Sequence, residues 1–272
     1  MPIDPRLLRI GIEVSGKINY YEDLNIVVGC TKFANAIENE CTVKITNLSK
    51  QVRDYILSET SLFTKSKEPK RLIVEAGRMS TGTAVVFIGD IISATPSQPP
   101  DIALTIKAQT KNTSKGDIVV KAQGEQASMR TIATDIAADL ALSLLFEALD
   151  KKISNYNFTG GVLKQIEKIS EAGMVNVFID DDKMVVKDRG VPLKSQAQII
   201  SADSGMVGLP SITEHGVKVK YLFSNLSAIG GALIVQSKIN PTVNGTYEIY
   251  KMTYELANRD NPFYITAEAK RL

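Results

Sequence analysis

The most constraining feature of the sequence is a set of apolar segments that recurs, in the same order, near both ends of the chain. Leu72–Val74 matches Leu233–Val235 at a constant difference in residue number, 233 − 72 = 161. A long internal offset of this kind indicates two related structural units. The alternative is chance similarity, because β strands draw on a small set of Val, Ile, Leu and Thr residues. The same offset relates Ile88 to Ile249, Ile91 to Met252, Thr105 to Thr266 and Ala108 to Ala269.

A further match relates Val43–Ser49 to Val219–Ser227 at a longer offset. The difference implies extra residues in the first copy, between Lys50 and Pro69. Part of this extra segment has the pattern of a short helix, in which Ser49 is the N-cap. The apolar positions of that helix share one face: Val52, Ile56 and Leu57.

From Leu7 to Thr110 the sequence consists of short β-branched segments separated by turn residues. Apolar and polar residues alternate in Leu104–Ala108, which is typical of a half-buried antiparallel strand. We therefore expect a β-barrel or sandwich in this region and another after Val217. The predicted strands of the first region are Leu8–Val14, Asn25–Cys30, Cys41–Thr46, Arg71–Ala76, Thr83–Ile88 and Ile102–Ala108.

The residues between the two β-rich regions have a different pattern. Apolar residues at three- to five-residue intervals predict one long helix over Gln126–Leu149. A second helix is predicted over Gly161–Glu171, with Gly173 as its stop. Val175–Ile179 and Met184–Val186 then flank an acidic turn, as in a β-hairpin. The predicted fold is α+β and mainly β, with β-barrel domains at 1–110 and 201–272 and an α+β middle domain at 111–200.

Composition excludes several functional classes. The 272 residues are 44% hydrophobic and 23% charged, which is typical of a folded globular chain. A net charge of +2 is far below the basic excess that nucleic-acid binders use to neutralise phosphates. The first residues have neither a secretory nor a lipidation pattern, and no segment has about 20 uninterrupted apolar residues. We therefore expect no specific nucleic-acid binding, no membrane anchor and a cytoplasmic site of synthesis.

The sequence contains few candidate residues for catalysis or for metal and phosphate binding. His215 is the single histidine, and its setting between a loop and a strand is typical of a turn residue. Phosphate-binding and nucleophile-elbow motifs are absent from the sequence. Cys30 and Cys41 lack the spacing of a zinc site, and we interpret both as small buried apolar residues. The run Asp180–Asp182 could supply oxygen ligands to calcium, but a solvated hairpin turn is the better interpretation. The sequence thus predicts no catalytic, cofactor-binding or metal-binding residue.

Several strings of residues resemble the baseplate hub proteins of contractile-tailed bacteriophages, over nearly the whole chain. Phe263-Tyr264 departs from the Trp-Tyr pair expected in that family. The strings that carry the resemblance are Ala34–Ala36, Val43–Ser49, Val74–Gly77, Val86–Ile91, Ser154–Gly161 leading into Leu163–Glu167, Val175–Asp181, Ile200–Pro210, Asn244–Ile249 and Asn258–Ala269.

The resemblance implies a non-enzymatic subunit whose two barrels are tube-like. Such hubs are homotrimers in which two barrels per chain give a six-fold-like ring, which adapts the hexameric tail tube to the central spike. The implied partners are the tail tube protein, the central spike and other baseplate proteins, and the implied location is the virion tail. Two alternatives remain open at this point: another tail protein, such as a tube initiator or distal-tail ring subunit, or a metal-dependent enzyme or cell-wall-binding module.

Overall fold

The structure of the protein is a computed structural model that describes residues 4–36, 38–61, 63–64, 70–100, 102–110, 118–122, 124, 126–195 and 197–272. The described residues are mainly β, as predicted. The segment that opens the predicted middle domain, 111–117, lies outside them.

In the described part of the first region, one α-helix, α1 (Lys50–Glu59), lies within a series of antiparallel strands. Ser49 caps this helix by accepting a hydrogen bond from the Val52 N–H, and Ile56 is buried, so the predicted short helix is confirmed. The strands are β1 (Arg6–Val14), β2 (Lys17–Tyr21), β3 (Asn25–Phe33), β4 (Glu40–Thr46), β5 (Arg71–Arg78), β6 (Gly82–Pro96) and β7 (Ala103–Gln109).

Among its described residues, the middle region contains two α-helices, α2 (Met129–Asp139) and α3 (Lys164–Gly173). Their buried faces share a hydrophobic core with one face of a three-stranded sheet. The strands of this region are β8 (Ile118–Ala122), β9 (Ala127–Ser128), β10 (Ser143–Glu147), β11 (Lys152–Ile153), β12 (Asn157–Gly161), β13 (Val175–Asp180) and β14 (Lys183–Asp188).

The last region returns to antiparallel strands, with one 3-10 helix at Pro241–Val243. Its strands are β15 (Gln198–Ser201), β16 (Met206–Thr213), β17 (Gly216–Leu222), β18 (Ala232–Gln236), β19 (Gly245–Ala257) and β20 (Phe263–Arg271).

Two helix predictions need correction. The helix predicted over Gln126–Leu149 is wrong beyond Asp139, because Ala141 takes a left-handed conformation and β10 follows. The apolar residues change there from helical spacing to alternation, which is the period of a strand. In α3, Gly173 is the last helical residue, and Met174 is the left-handed residue that ends the helix. A side chain at Gly173 would meet the Met129 sulfur at 2.4 Å, so this glycine permits close packing of α2 on α3.

The cysteine prediction is wrong in one respect. Cys30 and Cys41 are buried, as predicted, but they form a disulfide. They lie at directly paired positions of β3 and β4. The register that brings them together is a property of the hairpin and is not visible in their spacing along the sequence.

One sheet of 13 strands joins the first and last regions, in the order β16-β17-β20-β19-β3-β4-β7-β6-β5-β1-β2. Strand β18 pairs with β19 beside this path, and β15 pairs with β18. The sequence of neighbours β3-β4-β7-β6-β5 in the first half recurs as β16-β17-β20-β19-β18 in the second half. The two halves therefore share a strand order as well as a sequence pattern.

The residue pairings between strands make the correspondence quantitative. Leu72 pairs with Gly89, and Leu233 pairs with Tyr247. Ala108 pairs with Ile91, and Ala269 pairs with Ile249. Each half thus contains a three-stranded meander, β5-β6-β7 in the first and β18-β19-β20 in the second. The outer strands of the two meanders are related by the same difference in residue number (233 − 72 = 269 − 108 = 161). The central strands β6 and β19 are related by a smaller one (247 − 89 = 249 − 91 = 158).

The predicted equivalences of Leu72–Val74 with Leu233–Val235, of Thr105 with Thr266 and of Ala108 with Ala269 are confirmed by these pairings. The predicted matches of Ile88 with Ile249 and of Ile91 with Met252 are wrong by three residues. The reason is that the second meander has three residues fewer between its first and central strands and three residues more between its central and last strands. The outer strands therefore return to the same offset.

The shifted match of β4 is also confirmed. Val43 pairs with Ile106 and Val219 pairs with Ala267, so β4 and β17 occupy equivalent positions at an offset of 219 − 43 = 176. Helix α1 lies in the extra segment of the first half. The second half crosses from β17 to β18 without an α-helix.

Val74 and Val235 hold equivalent, fully buried positions, and this generates a prediction. Val74→Asp and Val235→Asp each bury a carboxylate without a partner, so each should lower the free energy of unfolding by several kcal/mol. The control Val120→Asp replaces a strand residue that is 74% exposed and should change stability by less than about 0.5 kcal/mol. Denaturant unfolding measures all three. A near-neutral effect at Val74 or Val235 would contradict the equivalence.

Candidate functional site

The two halves meet where β3 of the first pairs with β19 of the second. Seven residue pairs, from Lys251–Phe33 to Ala257–Val27, form this antiparallel junction. It continues at both ends, because the Ala34 N–H donates to the Tyr250 carbonyl and the Asn258 N–H donates to the Ile26 carbonyl. The junction makes a single sheet out of two equivalent units.

Strand β19 pairs with two strands, one after the other, along the same edge. Its first residues, Gly245–Glu248, pair with β18, and its last seven pair with β3. Strand β6 holds the equivalent place in the first half, and its residues up to Asp90 pair with β5. Beyond Ile91, within the part of the chain that the structure describes, the β5 side of β6 has no further strand partner.

The outer edge of β16 likewise has no partner among the strands that the structure describes. Strand β16 is the equivalent of β3, and β17 is its one neighbour among the described strands. The side chain of Ile212 on this edge is 70% exposed, whereas Cys30 at the equivalent position of β3 is 1% exposed. An unpaired edge of this kind presents N–H and C=O groups that can pair with another chain. The two free edges are the candidate functional site.

The hairpin of β13 and β14, predicted around an acidic turn, is confirmed, with Asp180 paired to Lys183. Its residues alternate between two cores. Val177 and Val186 pack with the helices, whereas Phe178 and Val185 face the large sheet. The hairpin therefore joins the middle region to the sheet by both of its faces.

The prediction that Asp180–Asp182 form a solvated turn is wrong for two of the three residues. The Lys32 ammonium donates to Asp180 Oδ1 at 2.7 Å and to Asp181 Oδ2 at 2.8 Å. Asp181 Oδ1 also accepts from the Ile88 N–H at 2.9 Å. Asp182 alone is exposed. Two carboxylates that were predicted to face water thus hold the hairpin against β3 and β6.

The charges of this cluster depend on one another. Burial by itself lowers the pKa of the Lys32 ammonium, but Asp180 and Asp181 outweigh this effect and raise that pKa above its ordinary value. Burial raises the pKa of the Asp181 carboxyl, and Lys32 opposes that rise. The ammonium is therefore the group that keeps two adjacent carboxylates together in a site with little water.

A second ion pair joins the middle region to the second half. The Lys187 ammonium lies 2.8 Å from Glu248 Oε1, and their side chains are 1% and 6% exposed. Lys187 also donates to the Asp188 carbonyl at 3.0 Å. A buried pair of this kind adds little net stability, but loss of one partner leaves an uncompensated charge. Each half of the sheet is thus fixed to the middle region by a lysine and a carboxylate.

Sequence reasoning did not single out Lys32, Lys187 or Glu248. A signal for Lys32 was present, because it follows Ile26, Val28 and Cys30 at the two-residue spacing of one strand face. A lysine on an otherwise apolar face needs a buried partner. The partner itself is 148 residues away along the chain and could not be found by spacing.

His215 lies in the turn between β16 and β17, as predicted, and is exposed. Its ring meets the Tyr250 ring edge-on at a centroid distance of 6.3 Å. Among the described residues, no cluster of three or more His, Cys, Asp or Glu side chains is placed to hold a metal ion. No helix of the described residues is long and apolar enough to cross a membrane.

The sequence matches the protein family described as "Baseplate hub gp41" over residues 7–269. Because the match covers nearly the whole chain, the protein belongs to this family of phage baseplate hubs. It is a structural protein of the tail baseplate, and its place is the virion tail. No curated protein matches the sequence.

Solved structures of tail proteins share the fold at low sequence identity. The 43 kDa tail protein of prophage MuSo2 from Shewanella oneidensis is 11% identical, with a TM-score of 0.66 over 97% of this chain and 98% of that one. A tail protein from Neisseria meningitidis is 9% identical, with a TM-score of 0.67 over 97% and 96%. The Escherichia coli c3393 protein, a type VI secretion component described as similar to T4 tail proteins gp27 and gp5, is 10% identical, with a TM-score of 0.61 over 96% and 76%.

The buried cluster at the acidic turn generates a prediction. Asp181→Asn removes one carboxylate from Lys32 and should lower the free energy of unfolding by about 1–3 kcal/mol. Lys32→Met leaves two carboxylates without their cation and should cost about 3–5 kcal/mol. The matched control, Asp182→Asn, changes the exposed neighbour and should cost less than about 0.5 kcal/mol. Urea denaturation measures each variant, and equal, small effects for Asp181 and Asp182 would contradict the buried cluster.

Proposed function

We propose that three copies of this chain close into a ring that adapts the hexameric tail tube to the central spike. The observation that carries the proposal is the equivalence of the two halves, which have the same strand order and matching registers. Three chains with two such units each supply six similar units around one axis. Hub trimers of this type use that number to meet a six-fold tube on one side and a three-fold spike on the other.

The proposed organisation has three parts: a tube-like β-barrel domain at 1–110, an α+β middle domain at 111–200 and a second tube-like domain at 201–272. The two tube-like domains form the ring. The middle domain stabilises the ring by contacting both tube-like domains. The ion pairs of Lys32 with Asp180 and Asp181 and of Lys187 with Glu248 support this role. Strand β15 spans the second boundary, since it begins at Gln198 and pairs with β18.

The proposed activity is assembly and not catalysis. Interfaces with the tail tube protein, the central spike and other baseplate proteins carry the function, and no residue is assigned a catalytic, cofactor-binding or metal-binding role. Support comes from the family to which the chain belongs and from the location of the free strand edges at the two ends of the repeated unit.

The proposal predicts a trimer. Light scattering or native mass spectrometry of the purified chain at increasing concentration should show a shift from monomer to a species of three times 29.7 kDa. Addition of the central spike protein should move this shift to lower concentration, because the spike binds the trimer and not the monomer. A stable dimer or hexamer, alone and with the spike, would contradict the proposed ring.

A further inference from the structure

We propose that β16 of one copy pairs with the last residues of β6 of the next copy, in the register that β3 and β19 use inside the chain. This inference rests on the proposed ring and names the contact that closes it. The internal junction and the proposed one would then be quasi-equivalent, so that three internal junctions and three junctions between copies alternate around the ring.

The register follows from the equivalent strand pairings of the two halves. The offset between β6 and β19 makes Thr253 the equivalent of Thr95 (253 − 95 = 158). The last residues of β16, from Ser211 to Thr213, correspond to β3 at a larger offset (212 − 30 = 213 − 31 = 182), because Cys41 and Val217 are equivalent partners on the next strand. The offset applies to these residues alone, since the register of β16 shifts between Val207 and Ser211. In the internal junction Thr253 pairs with Thr31. The equivalent pair between two copies is Thr95 with Thr213.

The direction of the backbone groups agrees with this register. In the internal junction the Asn258 N–H points toward β3, and the Ala257 N–H points toward the Pro262 carbonyl on the other side. Since the direction of the backbone N–H and C=O groups alternates along an antiparallel strand, those of Tyr254 also point toward β3. Its equivalent in β6 is Pro96, and the Ser97 N–H next to it points away from the free edge, to the Ala103 carbonyl. The Pro96 carbonyl therefore faces the free edge.

Exposed apolar side chains on β16 and β6 support a strand partner for each of the two edges. Ile212, Leu209 and Ile92 are 70%, 60% and 37% exposed. Their positions flank the proposed contact, and the internal equivalent of Ile212 is buried. Apolar side chains at a free strand edge are stabilised when a second strand covers them.

Pro96 also explains why such an edge can remain unpaired before assembly. Proline has no N–H, so the proposed junction has one backbone donor fewer than the internal one at the position of Tyr254. Proline on an edge strand is a common device against uncontrolled pairing. The contact should therefore be weak between two free copies and stable when the ring closes on itself.

The test is a pair of engineered disulfides. Thr95 and Thr213 would form a pair without mutual backbone hydrogen bonds, in which Cα atoms lie about 4.5 Å apart, a separation that permits a disulfide. The variant Thr95→Cys/Thr213→Cys, concentrated and mildly oxidised, should give a covalent trimer on a non-reducing gel. The matched control Thr31→Cys/Thr253→Cys places the same pair at the internal junction and should oxidise without any gain in mass. Each single variant should give no trimer.

The outcomes separate this inference from the proposed ring. A trimer by light scattering that forms no Thr95–Thr213 cross-link, while the internal control oxidises, would overturn the edge pairing and leave the ring intact. A cross-linked ladder without a closed trimer would overturn the quasi-equivalent register. Absence of both trimer and cross-link, up to the highest concentration and with the spike present, would overturn the proposed function and this inference together.

Discussion

The pairing of β3 with β19 holds the two halves of the large sheet together. It joins two equivalent β units into one sheet through seven residue pairs and continues into turns at both ends. Lys32 lies within this junction and binds the acidic hairpin, so the same strand also positions the middle region. Loss of the junction would expose two strand edges and release a buried lysine, each of which is unfavourable in water.

Much of the β architecture could be predicted from the sequence, because it depends on local alternation and on strands whose residues repeat. The equivalences of Leu72 with Leu233 and of Val43 with Val219 follow from such patterns. The matches in the central strand were wrong because an ungapped offset cannot detect two loop changes that cancel. The prediction of one long helix was wrong because the residues after Leu140 are as apolar as those before it. Only the change in the spacing of the apolar residues, from helical to alternating, distinguishes the strand from the helix.

The candidate site was less accessible from the sequence, for a physical reason. The contacts of Lys32 with Asp181 and of Lys187 with Glu248 join residues far apart in the chain, and their strength depends on burial that no local pattern reports. Free strand edges are likewise a property of the completed sheet. The composition of β16 and β6 is visible in the sequence. Only the topology of the described strands reveals that each lacks a neighbour that its equivalent, β3 or β19, has.

In the proposed ring, the two halves of this hub occupy equivalent places. Electron cryomicroscopy of the assembled baseplate would show whether they do. We expect three copies of the chain around the tail axis, with six β units related by rotations close to one sixth of a turn and with β16 of each copy next to β6 of its neighbour. A ring in which only one half of each chain lines the axis, or one built from six copies, would contradict the proposed ring.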